Sequence, residues 1–388
     1  MFSCSSAAPA LASFCLDHLG SSARPCGTGR PNRNGPSEIA RQIHAPDRRI
    51  TRAHRGTTMF QTKLTHLLGI RHPIICGGMF RIGRAPLAAA VSNAGGLGII
   101  TSATFPDIET FSAEVRILRK QTDRPFGVNI NLFPTARQYS PADFLEVCIN
   151  EGVPVLETSG QNPEPYLDRI KKAGLKIIHK VPAAQYALKA QSIGCDAVSI
   201  VGNETGGHPG MTDVSTLVML RQAAAQLDIP VIAGGGFGDG AGLLAALSLG
   251  ADGILMGTRF LATREAGAHQ AVKDWMVAAK ADDTLIVQKS IGSPMRVAKN
   301  ALAKRVVQME AEGASLDELL PLISGSRNPA VYFEGKLDDA IWSCGQVVGL
   351  VSDVPSCREL IDRIIAEAHA ALASVNAKSI QTESSRCG

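Results

Sequence analysis

The 388-residue sequence predicts an α/β fold, a (β/α)8 TIM barrel with an inserted helical cap after strand 8. Two observations predict it. From Pro73 onward, short apolar runs alternate with longer helical patterns, and eight such runs occur before residue 258. Many of the runs are Val/Ile/Leu blocks rather than strict alternations, as expected for parallel strands buried on both faces. Eight βα units favour closure of the sheet. An open doubly wound sheet is the alternative, reached if one or two strands are miscounted.

The elements follow in order. Strands are expected at 73–77, 97–101, 126–131, 153–158, 176–180, 197–201, 230–234 and 253–257. Helical patterns fall between them near 85–94, 107–120, 141–151, 164–173, 183–193, 215–227 and 240–249. After Arg259 the eighth helix does not follow at once. Residues 266–345 read mostly helical (267–280, 296–311 and 315–323), as an insertion over the barrel mouth. A helix at 355–373, with Leu360, Ile361, Ile364 and Ile365 on one face, then returns as the last barrel helix. The expected division is 1–58 extension, 59–265 barrel, 266–345 cap, 346–374 returning helix and 375–388 tail.

Composition bounds the function. Apolar residues make up 45% and charged residues 19%, the balance of a globular protein. No apolar run reaches the roughly 20 residues that span a bilayer. The net charge of +4 is unevenly placed. Residues 1–58 hold eight Arg, no Lys and only three acids (Asp17, Glu38 and Asp47). The rest is near neutral and gives no reason to expect a nucleic-acid partner. The extension reads as a disordered tail or as sequence ahead of a true start at Met59; a transit peptide is the other reading. Nine Cys without a C-x-x-C pair suggest reduced thiols and a cytoplasmic setting. Cys148 and Cys195 sit in apolar surroundings and read as core residues.

The most informative stretch is Gly202-Asn-Glu-Thr-Gly-Gly-His-Pro-Gly210. It follows the strand 197–201, so His208 stands on a glycine-rich loop at the C-terminal end of a barrel strand, where catalytic groups gather. The seventh and eighth units supply a second signal. Gly234-Gly235-Gly236 and Met256-Gly257-Thr258 end neighbouring strands, and their backbone N–H groups can surround a phosphate without a Cβ in the way. Gly77-Gly78-Met79-Phe80 ends the first strand and offers a flat backbone surface. Lys180 ends strand five. Asn129 and Asn131 share a face at the end of strand three.

With these motifs, and with Ala94-Gly95-Gly96-Leu97-Gly98, His179-Lys180 and Ile341-Trp342-Ser343-Cys344-Gly345-Gln346, the chain resembles the nitronate monooxygenase (2-nitropropane dioxygenase) family of FMN-dependent barrels, nearest to its bacterial NAD(P)H:quinone reductase-like members. The likeness runs from Phe60 to about Leu372. It implies a non-covalent FMN, its phosphate on Gly235, Gly236, Gly257 and Thr258, with Gly234 and Met256 counted in the same cofactor site. It implies a ring near Gly78, Met79 and Phe80, with Lys180 and Asn131 at its edge. Gly206 and Gly207 would let the loop approach the flavin, with His208 as the catalytic residue. Phe80 departs from the polar or variable residue expected there and would narrow the pocket. No metal is implied.

The first activity implied is oxidation of alkyl nitronates with O2 to a carbonyl compound and nitrite, with His208 as general base or anchor. The close alternative is reduction of a quinone by NAD(P)H through the same FMN. Enoyl-thioester reduction ranks lower, as does a flavin-binding protein without turnover. The partners are therefore a small-molecule nitronate or quinone, O2 and NAD(P)H, with no nucleic acid or membrane, in a chain that is allowed a homodimer.

Overall fold

A computed structural model describes residues 60–133 and 138–379. The N-terminal extension and the expected tail from residue 380 lie outside the described residues. Helix Lys63–Leu68 comes first, its N-terminus closed by a Thr62/Thr65 capping box and its C-terminus by Gly69 at φ 65°. Eight strands follow: β1 (Ile74–Cys76), β2 (Leu97–Thr101), β3 (Phe126–Asn131), β4 (Val155–Ser159), β5 (Lys176–Val181), β6 (Ala197–Val201), β7 (Val231–Gly234) and β8 (Gly253–Met256). All neighbours pair in parallel, and β1 pairs with β8 (Ile75 opposite Leu255), so the sheet is a closed barrel.

The interior is layered by strand alternation. Ile75, Leu97, Ile99, Val155, Ile178, Ala197, Ile232 and Leu255 form one apolar cluster with Leu64 and Leu68 of the first helix, which plugs the N-terminal end. Two residues further along the strands the inward positions turn polar: Thr101, Asn129, Glu157, Lys180 and Ser199. The outward faces pack under the helices in a separate, larger core.

The last helix, Cys357–Lys378, packs on helix Gly240–Ser248 and on helix Ala85–Asn93, so it fills the eighth helix position. Gly240 makes this possible, since a Cβ there would lie 2.3 Å from the Ala368 nitrogen. It is longer than the expected 355–373.

The segment after strand 8 differs from the expected run of helices. Helices stand at Gln270–Ala278, Ala301–Ala311, Leu316–Ile323 and Asn328–Tyr332. Between the first two lies an antiparallel hairpin, β9 (Thr284–Val287) with β10 (Met295–Ala298). The helix expected from residue 296 therefore begins only at Ala301, where Asn300 caps it by accepting from the Ala303 N–H. The physical reason is non-local. The Arg296 backbone both donates to and accepts from Gly207, and Val297 pairs with Ser343. These bonds outweigh the helical tendency of the Arg-Val-Ala run. No helix among the described residues is long and apolar enough to cross a membrane.

Candidate active site

The C-terminal ends of the strands open into a cavity of about 1270 Å³. It brings together Gly78, Met79, Phe80, Asn131, Lys180, Gly206, Gly207, His208, Gly235, Gly236, Met256, Gly257 and Thr258. Gly234 is not among its walls. It is buried in β7, its carbonyl takes the Thr216 hydroxyl at 2.7 Å, and a Cβ would meet Val201 Cγ1 at 2.8 Å. Gly234 thus packs within the barrel wall, and the lining of the cavity begins at Gly235. Beyond it, Gly235 (φ 94°) and Gly236 (φ 80°) are both left-handed, a backbone path that side chains disfavour.

His208 is exposed to the cavity while protein surrounds the cavity itself. That loss of bulk solvation, with the Lys180 ammonium nearby, holds its pKa below the usual histidine range. A neutral imidazole at neutral pH is thus ready to accept a proton. The loop carrying it is fixed from behind. A Cβ on Gly206 would lie 2.7 Å from the Gly345 nitrogen, and Gly207 stands opposite Arg296. The glycine at 206 is therefore required first by the 341–346 segment. That segment crosses the mouth with alternating roles. Ile341, Ser343 and Gly345 face the cavity, while Trp342 and Cys344 are buried behind it. Gly345 donates to Thr258 Oγ1 at 2.9 Å, and Gln346 donates to the Glu204 carbonyl at 3.0 Å.

Lys180 is reached by a residue that sequence reading missed. Glu157 on β4 is wholly buried. Its Oε2 accepts from Asn129 Nδ2 at 2.7 Å, Gly78 N–H at 3.3 Å and Lys180 Nζ at 3.4 Å. The only sequence signal was a carboxylate inside the apolar run Val155-Leu-Glu-Thr-Ser. Asn131 is exposed and accepts from the Phe133 N–H at 3.0 Å, which orients its amide at the rim. Phe80 reaches outward rather than across the floor. Its ring lies 3.0 Å from where a Gly325 Cβ would stand, and the Arg81 guanidinium covers it at 4.8 Å. Arg81 itself sits at φ 70°, a strained turn beside the cavity.

Two more groups complete the walls. His179 shares a hydrogen bond of 2.9 Å with Thr158 Oγ1, and burial lowers its pKa to about 4. Glu204 stands beside Gly236, its carboxylate held by the Thr216 N–H and facing the field of Arg296. Ile130, Phe144, His179, Tyr186 and Ile193 also line the cavity. Among the described residues no group of three or more His, Cys, Asp or Glu is placed to hold a metal ion.

The residues fit a flavin mononucleotide. Two successive left-handed glycines border the cavity, the Thr101 hydroxyl on its wall is buried with no partner among the described residues, and the Lys180 ammonium, held by Glu157, reaches the cavity. The comparisons with known proteins agree with this geometry. The nitronate monooxygenase family description matches residues 61–367. A Mycobacterium tuberculosis (3aS,4S,5R,7aS)-5-hydroxy-7a-methyl-1-oxo-octahydro-1H-indene-4-carboxyl-CoA dehydrogenase is 34% identical over 345 residues, covering 79% of this chain and 96% of its own. A probable nitronate monooxygenase of Staphylococcus saprophyticus is 29% identical, covering 79% and 98%. The solved structure of FabK from Thermotoga maritima superposes with a TM-score of 0.77 at 36% identity, over 82% of this chain and all of that one. The chain is an oxidoreductase that belongs to the nitronate monooxygenase family.

Proposed function

We propose that this enzyme is an FMN-dependent oxidoreductase whose organic substrate is a bulky acyl thioester. The observation that carries the reading is the size of the cavity. At about 1270 Å³ it exceeds the roughly 300–1,000 Å³ of ordinary small-molecule pockets, leaving room for a second large molecule beside a flavin. Exposed Phe133, Tyr186 and Met211 give its rim an apolar character suited to such a substrate. The carboxyl-CoA dehydrogenase relative, at 34% identity, supports the same class.

When bound, FMN supplies the two-electron redox chemistry that no side chain here provides. The chain's own residues bind, orient and move the proton. A thioester carbonyl acidifies the adjacent C–H, and His208 takes that proton as a neutral base. Lys180 and the Asn131 amide stand where they can hold developing negative charge on oxygen. Gly235, Gly236, Gly257 and Thr258 hold the phosphate. Residues 266–345 act as the cap that excludes water. Five buried, unpaired cysteines among the described residues suit a reducing compartment, so we place the enzyme in the cytoplasm.

Nitronate oxidation with O2 is the second reading, favoured by the family match over residues 61–367. A neutral nitroalkane has an acidic C–H that His208 can deprotonate as it would a thioester's, while a nitronate, already deprotonated, needs His208 only to orient it. The test is anaerobic mixing of the yellow protein with an acyl-CoA, propyl-2-nitronate, NADH and NADPH in turn. Bleaching of the flavin band by an acyl-CoA alone supports the thioester reading. Bleaching by nitronate, with nitrite on admission of oxygen, replaces it with the second. Bleaching by a pyridine nucleotide alone points to a quinone-type reductase.

A further inference from the structure

The Glu157 carboxylate lies below the cavity floor, and its burial is costly. It is fully enclosed, its Oε1 has no hydrogen-bond partner among the described residues, and a buried acceptor left unpaired keeps its full desolvation penalty. Replacing a buried ion pair by apolar residues of similar volume is often neutral or stabilising. Stability therefore does not account for a glutamate at this position.

What the carboxylate touches suggests its role. Through one oxygen it ties β4 to three other strand ends: the Gly78 N–H after β1, the Asn129 amide on β3 and the Lys180 ammonium on β5. All three partners line the cavity. Asn129 in turn packs on Gly78 so closely that a Cβ there would lie 2.5 Å from its own. Among the described residues Lys180 is the one cation bonded to this hub, and its side chain is 22% exposed, toward the cavity.

We propose that Glu157 is a positioning residue for the flavin. It holds the Lys180 ammonium at a fixed point against the ring and balances its charge, so that the ring meets a nearly neutral pair rather than a bare cation. The inference rests on the FMN reading above. A bare cation stabilises a reduced, anionic ring, so the pairing keeps the flavin potential lower than Lys180 alone would set it.

The test is a spectroelectrochemical titration of the holo-protein in four forms: wild type, Glu157→Gln, Lys180→Met and the double variant. Glu157→Gln keeps the shape and removes the charge. It is expected to favour binding of reduced over oxidised flavin by at least tenfold, a rise of ~30 mV for a two-electron couple. Lys180→Met is expected to move the potential down, and the double variant to return toward wild type. A thermal melt establishes that each variant is folded. An unchanged potential in folded, flavin-loaded Glu157→Gln would reduce Glu157 to a structural role and overturn the proposal. If Glu157→Gln does not fold, Lys180→Met decides alone, and an unchanged potential there overturns it as well. Wild type that takes up no FMN on reconstitution overturns the cofactor reading and this inference together. Wild type that binds FMN yet oxidises no acyl-CoA overturns only the substrate assignment.

Discussion

At the scale of single residues, the proposed function turns on how one imidazole is kept neutral. Desolvation of His208 by the surrounding protein and the nearby Lys180 ammonium both lower its pKa. The base form therefore persists below the ordinary histidine range near 6.5. In wild type the acid limb of kcat/KM is expected below pH 6.5. In Lys180→Met it should move upward, because one of the two depressing influences is gone. His208→Ala should keep FMN and lose roughly 100-fold or more in turnover, as loss of a general base does. A pH–rate series on the three proteins checks both statements, and wild-type kinetics in His208→Ala would remove it from the mechanism. His208 was legible in the sequence because glycines flank it, leaving little for a structural histidine to pack on. Glu157 was not legible. Its partners come from positions 78, 129 and 180, and only barrel closure brings them to one carboxylate.

At the scale of elements, the eight strands were readable because most of their residues are buried on both faces, which leaves apolar runs broken only toward the cavity end. Three of them, at 97–101, 126–131 and 197–201, have the expected bounds, and no end of the others differs by more than two residues. The β9–β10 hairpin was not readable. Its register depends on Gly207 and Ser343, which are far away along the chain. The same contact fixes the His208 loop, and Gly206 is its tightest point. A methyl group there meets the backbone of Cys344 and Gly345 at 2.7–3.2 Å. Gly206→Ala should therefore push the 341–346 segment off the mouth. FMN affinity should fall at least tenfold, while the melting temperature of the flavin-free protein moves by only a few degrees. Fluorescence titration of the flavin-free protein with FMN measures the first and calorimetry the second. Unaltered affinity would mean that the segment does not shape the flavin site.

At the scale of the whole molecule, two buried histidines make stability depend on acidity. Burial lowers the pKa of His72 and of His179 to about 4 each. In the unfolded chain both titrate near 6.5. Between those values the unfolded state binds more protons, so stability rises with pH. The contribution is complete above about pH 6.5 and is lost as the pH falls toward 4. Each histidine is worth on the order of 3 kcal/mol across that window. Denaturant unfolding at pH 7.5 and pH 4.5 should show the loss, and His179→Gln should reduce it. A stability that does not change between those two pH values would mean that the two rings are hydrated in the folded state.

The sequence by itself determined the barrel, and it marked the glycine-rich strand ends and the histidine on which the proposed chemistry rests. Each of these is written in local chemistry: apolar runs long enough to be buried, glycines where a backbone must come close, and an imidazole among small residues. Only the tertiary structure decided which glycines face the cavity and which merely pack, as Gly235 and Gly234 do on either side of one peptide bond. It also decided that the chain between strand 8 and the last helix carries a hairpin bonded to the catalytic loop, and that a buried glutamate joins four strand ends beneath the site. Those features are contacts between residues distant in sequence, and no local pattern encodes them, because the free energy that selects them exists only once the barrel has closed.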